Sequence, residues 1–195
     1  MGQIPLMKVV STILLLLTIN TTQAQGVFNN KTNSALQKVI EDYPNKFTNI
    51  KGELLAENIQ TIDFKSKVEI PGVSCVLTQY SAASNKSVYS WRADIVEEEE
   101  FETAKKRFRE LYTQIKNTII KIEGERPLIL NGHYQAPTED RKFNTVFFSL
   151  LPGGGELERL RVELSMNHMI THWKITLTVY EREYRDDERI TAVER

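Results

Sequence analysis

Few side chains in this sequence could do ligand or acid–base chemistry, and they are scattered. Glu163, His168 and His172 form the one close group with metal-ligand chemistry. If Asn167-His168 makes a two-residue turn, Glu163 and His172 stand opposite one another, with Cβ atoms about 4.5–5.5 Å apart. A zinc centre usually takes three or four such ligands, and His168 would lie in the turn itself. The spacing therefore favours a cross-strand ion pair on an exposed face over a metal site. Cys75 is the only cysteine, so no disulfide forms within the chain. Its neighbours Val73, Val76 and Leu77 mark a buried thiol rather than a nucleophile. Glu97 to Glu100 could gather a cation, but acidic residues also favour the positive end of a helix dipole, and a helix pattern begins there. Gly153-Gly154-Gly155 lacks the Lys-Ser/Thr ending of a phosphate loop and precedes a strand, so it reads as a hairpin turn. No serine occupies a Gly-x-Ser-x-Gly elbow. No catalytic residue, metal ligand or cofactor is assigned.

Interaction chemistry is more evident at Asn144 to Leu150. Val146, Phe148 and Leu150 alternate there with Thr145, Phe147 and Ser149, so both faces carry a phenylalanine. The matching strand of the first half has polar outward positions, Lys65, Lys67 and Glu69. Val146, Phe148 and Leu150 are the expected partner-binding residues, for a protein or a small apolar ligand, unless residues 126–142 cover them. Arg161, Glu163, His172 and Lys174 are expected on the exposed polar face of the last hairpin.

The elements that would carry these residues follow from periodicity. Leu36, Val39, Ile40 and Tyr43 fall at helical spacing, and Pro44 ends that helix. Residues 25–33, polar and Asn-rich, read as a flexible leader. Thr61 to Ile70 alternates as a half-buried strand, and Val73 to Tyr80 and Val88 to Val96 follow as two more. Phe101, Ala104, Phe108, Leu111, Tyr112 and Ile115 stripe a second helix. Phe143 to Leu151, Leu160 to Met166 and Thr171 to Tyr180 are strands, and residues 181–195 form a charged tail.

Both halves thus read helix, then three strands. Three short matches fall in the same order: Ile50-Lys51-Gly52-Glu53 with Ile122-Glu123-Gly124-Glu125, Ile70-Pro71-Gly72 with Leu151-Pro152-Gly153, and Ser90-Trp91-Arg92 with His172-Trp173-Lys174. The expected fold is α+β, a single duplicated domain over 34–180 with halves at about 34–98 and 99–180. Two α-β-β-β repeats would form one antiparallel sheet of about six strands, with both helices on one face. The layout resembles TATA-binding-protein-like and secretion-chaperone-like folds, and fold alone assigns no function.

Residues 1–24 have the three parts of a secretory signal: Lys8, the apolar run Val9 to Ile19, and Thr22 and Ala24 before Gln25. The run is too short to span roughly 30 Å of hydrocarbon, so no stable membrane span is expected after cleavage. Losing Lys8 takes the formal charge from −1 to −2, which gives no footprint for nucleic acid. Ile50 to Glu53, Tyr89-Ser90-Trp91 and the helix from Phe101 to Ile115 resemble small exported proteins of unknown function from Bacteroidetes-type bacteria. The resemblance implies export and no particular activity. The function expected is a periplasmic or secreted, non-enzymatic binding domain, for which a homo-oligomer is compatible. The alternative is a hydrolase with its active site on the polar sheet face around Arg161, Glu163 and His172.

Equivalent halves require Trp91 and Trp173 to be buried alike. Trp91→Ala and Trp173→Ala should then each cost roughly 3–5 kcal/mol in chemical denaturation. A near-zero loss at either site would place that tryptophan on the surface.

Overall fold

The structure is a computed structural model that describes residues 23–81, 87–116, 118–124 and 126–182. The leader read over 1–24 lies outside these residues save for its last two positions, and so does the tail from residue 183. Helix α1 runs Gln23–Glu41 and α2 runs Phe101–Lys116. Among the described residues there are nine strands: β1 Lys51–Glu57, β2 Thr61–Ser66, β3 Ser74–Ser81, β4 Ser87–Glu98, β5 Ile119–Ile120, β6 Leu128–Gly132, β7 Phe143–Leu151, β8 Leu160–His168 and β9 Trp173–Glu181. They form one antiparallel sheet in the order β1-β2-β3-β4-β9-β8-β7-β6-β5. The order is symmetric about the β4–β9 seam except for β5.

The α+β class and the antiparallel sheet agree with the sequence reading, but the strand count does not: nine replaces about six. β1 escaped notice because five of its seven residues are exposed and show no alternation. Residues 25–33, read from the sequence as a leader, lie in α1. Thr32 is buried and extends the stripe of Ala35, Leu36, Val39 and Ile40 by one turn, which the asparagines around it conceal.

The short matches mark different places in the two halves. Ile50 to Glu53 leads into β1, whereas Ile122 to Glu125 falls between β5 and β6. Trp91 is the fifth residue of β4, but Trp173 opens β9 at the hairpin-closing pair with His168. Both tryptophans are nevertheless buried. The Trp91 indole N–H donates to Ser66 Oγ at 3.0 Å, and Trp173 meets Phe101 of α2 with ring centroids 5.1 Å apart.

One face of the sheet carries the core. A row of opposed residues crosses seven strands: Phe64, Leu77, Trp91, Val179, Val162, Phe148 and Gly132. Both helices bury their stripes against this face, α1 through Leu36, Val39 and Ile40 and α2 through Ala104, Phe108, Leu111 and Ile115. Glu100 accepts the Ala104 N–H at the start of α2, so the acidic run ends β4 and opens the helix.

The turn from α1 to β1 is held by a buried carboxylate. Asp42 accepts the backbone N–H of Asn49 (3.0 Å) and Ile50 (3.1 Å) and the side-chain amides of Asn45 (3.1 Å) and Asn49 (2.6 Å). These bonds fix a tight reversal in which Lys46 and Phe47 both have positive φ, and Phe47 enters the core. Left-handed backbone disfavours bulky side chains, so the Asp42 bonds and the burial of Phe47 must offset that cost. Asp42→Ala leaves buried amides without acceptors and should destabilise by about 2–3 kcal/mol in urea unfolding. Asp42→Asn, which keeps one acceptor, should lose less. Equal stability of Asp42→Ala and wild type would show that the carboxylate does not hold the turn.

Candidate functional site

Val146, Phe148 and Leu150, the expected partner-binding residues, are buried. Phe148 lies beneath Tyr112 of α2 at a centroid distance of 5.7 Å, and Tyr112 stacks in turn on Tyr134 at 4.8 Å. Tyr134 belongs to the connection between β6 and β7, so helix and connection together cover these residues. Gly132 completes the cover: a Cβ there would sit 2.7 Å from the Phe148 ring. The helical stripe needed an apolar surface to rest on, and Phe148 supplies it.

The outward phenylalanine is Phe147. It stands opposite Glu163 on the face that neither helix covers. On the same face Ile119, Ile129 and Leu151 are directly opposed across β5, β6 and β7. Their exposures are 55%, 51% and 46%, and those of Phe147 and Phe143 are 56% and 61%. Single exposed apolar residues are ordinary, but here a row of three crosses β5, β6 and β7, and Phe147 and Phe143 follow along β7 on the same face, separated by Ser149 and Thr145. The sequence missed this set because Leu128 to Leu130 and Val146 to Leu151 are apolar on both faces.

The rest of the uncovered face is polar. Arg161, Glu163 and Lys174 lie on it, half-buried, as expected. Arg161 donates to the carbonyls of Glu158 and Leu160, both at 2.8 Å. Lys174 reaches Asp94 at 2.9 Å and Glu97 at 3.5 Å, across the β4–β9 seam. His172 does not join them, because the β8–β9 turn lies further along the chain than expected. Val162 pairs with Val179 rather than Trp173, and Glu163 with Thr178 rather than His172. His172 sits in the turn, where its Nδ1 is 3.3 Å from Thr171 Oγ1. His168 packs edge-on against Trp173. Among the described residues no group of three His, Cys, Asp or Glu side chains could hold a metal ion. Cys75 is buried, and burial pushes its thiol up, away from the reactive thiolate.

Glu163 marks the border between the polar and apolar parts of this face, flanked by Thr178 and Phe147. Burial pushes its carboxyl above the usual carboxylate range, and a hydrogen bond from Tyr180 offsets this only in part. Burial also raises Tyr180, and the Glu163 charge adds to the effect. Two clefts of about 440 Å³ each lie elsewhere, one lined by Lys51, Gly52, Glu53, Lys65, Ser66, Lys67 and Glu69, the other by Asn58 to Thr61. No helix among the described residues is long and apolar enough to cross a membrane. No family model, curated protein or solved structure matches the chain.

Glu163 gives a signed pH effect. With its pKa raised by folding, its contribution to stability is full below the unfolded value, about 4.3, and is lost as pH rises through the folded value. Glu163→Gln has no charge to desolvate and keeps an acceptor for Tyr180. Urea unfolding across a pH series should show the variant gaining on wild type from about pH 4 upward. Parallel stability curves would mean that Glu163 is solvated as well in the folded chain as in the unfolded one.

Proposed function

We propose that this chain is an exported binding domain, periplasmic or secreted, that takes a protein partner on the uncovered face of its sheet around Phe147. The observation that carries the proposal is the cross-strand row Ile119, Ile129 and Leu151, exposed on the same face as Phe147 and Phe143, a face that no helix among the described residues covers. A protein fits this surface better than a small apolar ligand. Small-molecule sites are concave and mostly apolar, whereas this patch lies on a sheet face and the two clefts described above are lined largely by polar residues. Glu163, opposite Phe147, supplies a polar border of the kind usual around an apolar interface core. The leader composition of residues 1–24 supports export. No observation favours the hydrolase reading, since Glu163 and His172 stand on different elements.

A photo-crosslinking residue at position 147, in the full chain expressed with its leader, tests the proposal. The exported species should begin at Gln25 by intact mass. A discrete protein adduct should form at position 147 and disappear with Ile129→Lys, while thermal unfolding of that variant stays unchanged. No adduct at 147, or an equal yield from the control position Glu102 on α2, would defeat the proposal.

A further inference from the structure

The sheet has two edges of unequal character. β5 is two residues long, which blunts its edge. β1 is seven residues long and, among the described residues, pairs only with β2. Its pairing is bulged on both sides of Leu54: Lys51 opposes Ser66, Leu54 opposes Phe64 and Glu57 opposes Ile62. Gly52 allows the first irregularity, since a Cβ there would lie 2.5 Å from the Lys65 carbonyl oxygen. The bulges place Lys51, Leu54 and Glu57 on one face, the face of the core. Consistent with this, the Lys51 Nζ lies 3.8 Å over the Phe64 ring.

The core row Phe64, Leu77, Trp91 therefore extends one strand further and ends at Leu54, which is 57% exposed. Among the described residues neither Lys51 nor Glu57 has an ion-pair partner. The strand is self-complementary when run antiparallel to itself about Leu54. Leu54 then meets Leu54, and Lys51 meets Glu57 twice.

We infer that β1 pairs with β1 of a second copy about a two-fold axis at Leu54, so that the two sheets become one. Such an interface is isologous, and each copy's patch is its own complement. Pairing satisfies the free N–H and C=O groups of the edge, covers the exposed end of the core row, and closes two ion pairs. Bulges are a common defence of edge strands. Here they bring the three complementary residues onto a single face.

Analytical ultracentrifugation of the purified chain over a concentration series should show a monomer–dimer equilibrium. Leu54→Lys sets two like charges at the axis and should give monomer, with a circular-dichroism spectrum like that of wild type because the side chain is exposed in the single chain. Lys51→Glu should weaken the dimer by roughly tenfold, and adding Glu57→Lys to it should restore the dimer. In a Cys75→Ala background, Leu54→Cys should form a disulfide dimer on mild oxidation, since opposed residues in an antiparallel pair are within disulfide reach. Leu55→Cys should crosslink far less. A monomer at every concentration overturns the inference. So does a dimer that survives Leu54→Lys and is indifferent to the charge exchange, because it must use another surface, such as the one around Phe147.

Discussion

Everything else in the molecule depends on the antiparallel pairing of β4 with β9. These strands come from opposite halves of the chain, and their ladder is the one seam that makes two antiparallel runs into a single sheet. On the core face Trp91 meets Val179 and Ala93 meets Leu177; on the other face Arg92 meets Thr178 and Asp94 meets Thr176. A slip of one residue would exchange these two sets and bury Arg92 and Asp94. The Lys174 bridges to Asp94 and Glu97 reinforce that register from the uncovered side. The Lys174–Asp94 bridge is partly buried and so less screened than a surface pair, and the wrong alignment would forfeit it. The irregularity at Ile95 brings Val96 opposite Ile175 and keeps the apolar line unbroken into the start of α2.

With the seam fixed, the core can occupy only one face. Both helices arrive on that face because each follows the same rule, an apolar stripe placed directly before a run of strands. Their cover is uneven. α2, helped by Tyr134, seals the second half over Phe148, and Gly132 lets this layer approach the sheet. The buried turn at Asp42 adds Phe47 to the same core. The cover does not reach β1, so the core row ends there in an exposed leucine.

The uncovered face divides along β8. Toward β3 it carries Asp94, Arg92, Thr178 and Thr78; toward β5 it carries Phe147, Leu151, Ile129 and Ile119. Glu163 stands at the division, and its raised pKa is the electrostatic trace of that boundary. Phe147 takes water from one side of the carboxylate while Tyr180 offers it a hydrogen bond from the other. Apolar exposure at one end and a desolvated acid at its border are two consequences of the same local exchange of polar for apolar residues in the second half.

Sequence periodicity carried a good part of this architecture, and the failures share a cause. The helical stripe of α2 and the alternation in β2, β4, β8 and β9 were legible because one face of each is polar. Even the misplaced β8–β9 turn left the faces correct: the true partners are shifted by an even number of residues, and parity survives an even shift. That same misplacement put His172 beside Glu163 on paper. Where both faces of a strand are apolar, parity says nothing about which face is inside. β7 has phenylalanine at 147 and at 148, and β6 has Leu128, Ile129 and Leu130, so only the neighbours decide. Gly132 opposite Phe148 admits a close layer above it, whereas Phe147 stands opposite Glu163 on the face that neither helix covers. The choice of Phe148 over Phe147 was thus beyond any single-strand reading, because the information lies in strand pairing. β1 fails for the complementary reason. Its bulges break the period of two, so Lys51, Leu54 and Glu57 share a face at a three-residue spacing that strand alternation does not show.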